Sequence, residues 1–136
     1  MPVSSNFLEF VLDQLRNVGT VRSRRMFGGI GLYCDELFFA VIADDVVYFK
    51  VDDANRMDYT ARGMDAFRPF PDDPNTVSMN YFRVPSDVLE DLDTLPIWAR
   101  KSLAAAAAAA TAKALRQRHK RPARRARKSA KTPRKR

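Results

Sequence analysis

The sequence predicts an α+β fold: a two-layer body in which helices flank an antiparallel five-stranded sheet, followed by a C-terminal helix and a disordered basic tail. Three observations lead there. A helix-spaced apolar stripe opens the chain, short apolar runs separated by two-residue polar breaks follow it, and the charge reverses sign near residue 100. Helix-period and strand-period patterns in one short chain argue for a mixed fold. The expected division is a body over residues 1–105 and an alanine-rich helical extension with a Lys/Arg-rich tail over residues 106–136.

The elements follow in order. Asn6 with Glu9 three residues on reads as a capping box, and Phe7, Phe10, Val11, Leu15 and Val18 give one apolar stripe over about residues 6–18, closed by Gly19. Thr20 to Phe27 reads as a strand, interrupted by Gly28-Gly29. Ile30 to Cys34, Leu37 to Ala43 and Val46 to Val51 are three more strands, joined by turns at Asp35-Glu36 and Asp44-Asp45. Two-residue polar breaks between apolar runs signal hairpins, but neither pair holds the glycine that tight hairpins prefer, which leaves the turn type open. Asp52 to Arg62 is an expected short helix closed by Gly63, and the proline-rich stretch 64–77 an expected loop. Ser78 to Val84 is the fifth strand, stopped by Pro85. Ser86 caps a short helix running to Leu92. The last helix opens near Thr94 with Pro96 in its first turn, docks through Leu95, Trp98, Ala99 and Leu103, and runs through the seven alanines 104–110 to about Gln117 or Arg118. From Lys120 the chain is expected to be disordered when free, because Pro122 and Pro133 break helix and like charges repel.

Charge separates the two parts. Residues 1–100 hold 10 Lys and Arg against 16 Asp and Glu, a formal charge of −6, whereas residues 101–136 hold 14 Lys and Arg and no acid. A polycation of this kind attracts polyanions whatever the body does. Cys34 is the single cysteine, so no intrachain disulfide forms, in keeping with a reducing compartment. No apolar run approaches the roughly 20 residues of a membrane span, and the first residues show no signal-peptide pattern. A soluble protein of the cytoplasm is the expectation, with association to the nucleoid through the tail.

The segment Arg25-Met26-Phe27-Gly28-Gly29-Ile30-Gly31-Leu32-Tyr33 resembles the signature of the TfoX/Sxy family's N-terminal domain. The resemblance continues through Leu37 to Asp45, Val47 to Asp52, Asn55-Arg56, Met79 to Pro85 and Leu95 to Ala99, and so covers about residues 6–105. Asp35-Glu36 stands where the family often has Asp-Gly, and the basic tail stands where larger members carry a second helical domain. The resemblance implies a two-layer α+β fold, a cytoplasmic setting and a role in transcriptional regulation. Its best-known members promote competence genes together with the cyclic-AMP receptor protein, as co-activators rather than enzymes. It brings no catalytic residues and no cofactor.

The residues agree on the absence of obvious chemistry. His119 is the only histidine and lies in the basic tail, so Cys34 lacks a base within the body and reads as a structural thiol. One His and one Cys exclude the usual zinc sites within one chain. Asp44, Asp45, Asp52 and Asp53 have no EF-hand spacing and read as solvated turn and cap acids, as do Asp72 and Asp73. Gly28-Gly29-Ile30-Gly31 lacks both the P-loop lysine and the dinucleotide spacing. Tyr48, Phe49, Tyr81 and Phe82 are expected to face a core or a covering helix rather than to stack bases.

Two sets of residues remain as candidate contacts. Arg116, Arg118, Lys120, Arg121, Arg124, Arg125, Arg127, Lys128, Lys131, Arg134, Lys135 and Arg136 form the expected nonspecific DNA contact. Arg22, Arg24 and Arg25 beside Gly28 and Gly29 form a candidate partner or anion contact, with a solvated strand edge and a bulge as the plainer reading. The expected function is therefore a non-enzymatic, TfoX-like co-activator that touches DNA through its tail. The alternative is a stand-alone interaction module, in a homodimer, whose tail binds an acidic partner.

Overall fold

Ser4 lies in an extended conformation and its hydroxyl accepts the Phe7 N–H at 3.2 Å, which starts α1, Ser5–Gln14. The cap is two residues earlier than the Asn6 that the sequence pattern suggested. A long-range bond selects it: the Ser4 N–H donates to Asp45 Oδ1 at 2.8 Å, pinning the chain just before the helix. The helix also stops earlier, and residues 15–18 close through three-residue turns. The computed structural model describes residues 3–26, 28–69 and 77–131, with side chains as far as Arg118. Two units divide after Ala106.

The strands β1 Val21–Met26, β2 Gly29–Cys34, β3 Leu37–Ala43 and β4 Val46–Lys50 form an antiparallel meander. Asp35 and Glu36 have φ of 51° and 65°, and Asp44 and Asp45 have 52° and 56°. Left-handed backbone at both central residues is the type I′ pattern, whose twist matches that of the flanking strands. The tight turns left open by the sequence thus form without glycine, and in three of the four positions the residue is Asp, which tolerates this region better than most.

The sheet has six strands, not five. Ala66–Phe67, within the stretch read as loop, is β5, and Ser78–Arg83 is β6. The order is β1-β2-β3-β4-β6-β5. Two residues are too short for a period to show in sequence. They pair because β6 would otherwise present an open edge: the Arg83 N–H reaches Asp65 O at 2.9 Å, and Ala66 packs against the core beside Phe82. Asp72 and Asp73 lie outside the described residues.

The helices α2 Arg56–Thr60 and α3 Ser86–Leu89 are shorter than expected. Before α2 the buried Asn55 side chain takes the Asp52 N–H at 2.8 Å and donates to Lys50 O at 3.2 Å. That turn replaces the first helical turn expected from Asp52. Pro85, not Ser86, occupies the cap of α3. The last helix, α4, covers Leu95–Lys131. The expected end near Gln117 or Arg118, with disorder from Lys120, differs from the structure over residues 120–131, whose backbone is helical. Ala, Arg, Lys and Gln are all strong helix formers, and the helix spans Pro122 at the loss of one backbone donor. Residues 132–136 lie outside the described residues.

One core holds the body together. Val11 and Leu15 of α1, Tyr59 of α2, Val88 of α3, and Leu95 and Ala99 of α4 pack with Ile30, Leu32, Phe39, Ile42, Val47, Phe49, Phe82 and Val84. All four helices therefore cover the same face of the sheet. Burying each large apolar side chain stabilises the fold by about 1.5–3 kcal/mol before entropy is subtracted.

Candidate functional site

Strand alternation decides which side chains share a face. Phe49 and Phe82 point into the helix-covered core, as expected. Tyr48 and Tyr81, each one residue away, point to the opposite face, which the described helices leave uncovered. That part of the expectation is corrected.

The uncovered face is ordered in two rows. The register joins Arg24 to Gly31, Gly31 to Val41, Val41 to Tyr48, and Tyr48 to Arg83, a continuous line across five strands with an arginine at each end. Beside it Arg22 pairs with Tyr33, Tyr33 with Phe38, and Lys50 with Tyr81. The rings of Tyr33 and Phe38 stack at 5.1 Å, those of Phe38 and Tyr81 meet at 5.7 Å, and those of Tyr48 and Phe67 at 4.8 Å. Lys50 Nζ sits 5.1 Å above the Tyr81 ring. All five aromatic side chains are partly exposed.

Local sequence makes this arrangement. A bulge between Leu32 and Tyr33 leaves Phe39 without a partner across the pair. It turns both Phe39 and Ala40 into the core and sends Phe38 to the open face. Gly31 leaves room for the Met26 and Phe38 side chains: a Cβ there would lie 2.7 Å from Met26 Cε and 2.8 Å from Phe38 Cε1, and both would have to shift. Burial pushes the Tyr81 hydroxyl up to about 12 and raises that of Tyr48 as well, so both stay protonated at neutral pH.

The cations on this face are unevenly committed. Arg22 pairs with Glu36 at 3.0 Å in the open, a weak tie. Arg24 and Arg83 form no ion pair among the described residues. Two acids lie near Tyr48, Asp44 and Asp65, opposed by Arg83.

The candidate contact at the first hairpin comes apart. Arg22 and Arg24 share the open face through their register with Tyr33 and Gly31, whereas Arg25 pairs with Ile30 and belongs to the other side. Gly28 has a φ of 77°, and a Cβ on Gly29 would stand 2.6 Å from the carbonyl oxygen of Ile42. Both glycines thus have steric reasons to be there.

The basic extension places Arg116 and Arg118 on α4 as exposed side chains. Lys120, Arg121, Arg124, Arg125, Arg127, Lys128 and Lys131 fall within the same helix, and Arg134, Lys135 and Arg136 outside the described residues.

Cys34 and the turn acids have structural surroundings. Cys34 is buried, and burial, with Asp35 beside it, raises its thiol pKa, so the reactive thiolate is suppressed. Asp45 is occupied by the Ser4 amide, Asp52 by the Ala54 amide and Asp53 by Arg56. Among the described residues no three His, Cys, Asp or Glu converge as a metal site, and no helix is long and apolar enough to cross a membrane.

Compared with known families, residues 13–106 match the TfoX N-terminal domain. The curated proteins show no match to the chain.

Proposed function

The chain belongs to the TfoX N-terminal domain family, and from that premise we propose that it is a non-enzymatic regulatory protein, a transcriptional co-activator whose basic extension holds DNA by its phosphates. The observation that carries the reading is the charge division: 14 cations and no acid in residues 101–136, joined to a body of formal charge −6. The cations displace counterions from the duplex, and that release drives binding without reading bases. The body, of net negative charge, receives the protein partner. Its expected partner is a transcription factor of the cyclic-AMP receptor protein kind. Such a protein works in the cytoplasm, at the nucleoid.

The test compares the full chain with one lacking residues 113–136 in gel shifts on duplex DNA at two salt concentrations. The full chain binds and loses affinity steeply with salt, and the shortened chain does not bind. Equal binding by the two defeats the proposal.

A second reading draws on β1, an edge strand whose residues Arg22–Arg25 are all exposed. An open edge can pair with a second copy or with a partner strand. In that reading the protein is an interaction module and its tail contacts an acidic protein. Affinity purification after nuclease treatment separates the two, since a partner that survives nuclease is held by protein.

A further inference from the structure

The open sheet face fits an occupant that the tail does not explain. From its rings and its cations we infer that this face binds an unpaired DNA strand, with bases stacked on Tyr33, Phe38, Tyr48 and Tyr81 and phosphates held by Arg24 and Arg83. The inference is independent of the tail, which contacts only backbone.

Three features point to a single strand. The aromatic side chains are partly exposed on a face that the described helices leave bare, and every base has a π-face to lay on them. Sheets that bind single strands in this manner stack two or three bases on aromatic residues, and the line from Arg24 to Arg83 crosses four strand spacings, about 19 Å at ~4.8 Å each. The charge has the right sign at both ends of that line, with Arg24 and Arg83 free of ion pairs among the described residues. Lys50 over Tyr81 adds a third cation within the rings. Duplex DNA cannot use the face, because its bases are already stacked and paired. A second copy of the chain is a poorer occupant. Two such faces together would oppose Arg24, Arg83 and Lys50 against their own kind, with Asp44 and Asp65 near Tyr48 and the already paired Glu36 as the acids in return.

The experiment uses the full chain and two fluorescent probes, a thymidine oligonucleotide of about ten residues and the same strand annealed to its complement. Anisotropy is read at a salt concentration that removes most duplex binding. The single strand is expected to bind more tightly than the duplex. The double variant Arg24→Glu/Arg83→Glu, in exposed positions and checked by circular dichroism, is expected to weaken single-strand binding about tenfold or more while changing duplex binding by less than about threefold. In a second measurement the oligonucleotide carries 5-iodouracil, and crosslinks are mapped by mass spectrometry to peptides containing Tyr33, Phe38, Tyr48 or Tyr81. Crosslinks confined to residues 101–136, or equal effects of the variant on both probes, overturn the inference. So does sedimentation showing a dimer that the double variant splits, because the face is then an interface between copies. Loss of duplex binding on removing residues 113–136 bears on the tail alone and leaves this test intact.

Discussion

Single residues in this protein show how a hydroxyl or a turn position is judged by its surroundings. Tyr59 and Ser102 are both buried, and their hydroxyls act on each other without reaching good hydrogen-bond geometry, so each lacks a well-formed partner among the described residues. Burial raises the Tyr59 pKa far above its ordinary value, with the Ser102 hydroxyl pulling the other way, so the group is neutral. An orphaned buried hydroxyl costs about 1–3 kcal/mol in desolvation. Tyr59→Phe keeps the ring against Trp98, 4.8 Å away edge-on, and removes the orphan. It is expected to be neutral or stabilising by up to about 1 kcal/mol, read from the urea midpoint; a loss of stability would mean the hydroxyl is satisfied in solution. Glu36 presents the reverse case. Its φ of 65° is unfavourable for a side chain other than glycine, and its pair with Arg22 is exposed. Glu36→Gly relieves the turn and loses little, so thermal unfolding is expected to shift upward by a few degrees, for a gain of about 0.5–1 kcal/mol. The turn position of Glu36, without the glycine that tight hairpins prefer, was legible in advance; the state of the Tyr59 hydroxyl was not. A tyrosine in a helix stripe reads as core, but whether its oxygen finds a partner depends on a residue 43 positions away.

The elements were the most legible level, and their ends the least. The meander follows from apolar runs broken by Asp35-Glu36 and Asp44-Asp45, and β1 to β4 appear where those runs lie. Helix starts moved because caps answer to tertiary contacts, as Ser4 does to Asp45. At the start of α4 the Asp91 side chain closes the turn, beside a backbone bond from the Leu95 N–H to Asp91 O at 2.9 Å. Asp91 accepts the Asp93 amide at 2.9 Å and the Thr94 hydroxyl at 3.0 Å. The Asp93 amide foremost, then Thr94, holds its carboxyl below the ordinary range, while the guanidinium of Arg62 does the same for Asp87. A folded value below the unfolded one means that these carboxylates stabilise fully above about pH 4, and that the contribution drains as pH falls through the lowered values. Urea midpoints measured from pH 5 down to pH 2 are therefore expected to fall more steeply for the native chain than for Asp91→Ala. Parallel curves would show that the cap does not depend on charge.

At the scale of the whole molecule the charge division makes its own prediction. If roughly ten tail cations each neutralise a phosphate, the logarithm of duplex affinity falls against the logarithm of salt with a slope near −9. A slope closer to zero than about −4 would show that only a few of the tail's cations engage. Fold class, family and this division were all readable from composition, period and motif, since each is a property of residue types in order. The arrangement of the open face was not. Alternation says that Tyr48 and Phe49 point opposite ways, as do Tyr81 and Phe82, but it assigns neither side to solvent. What settles that is where α1, α2, α3 and the start of α4 pack, and their packing depends on connections and bulges that leave no period behind. The order of residues by itself determined a strand meander, a helix and a polycation. Only the three-dimensional packing decided which half of the aromatic residues is sealed in the core and which half faces outward, because a strand has two faces and the helices can cover one.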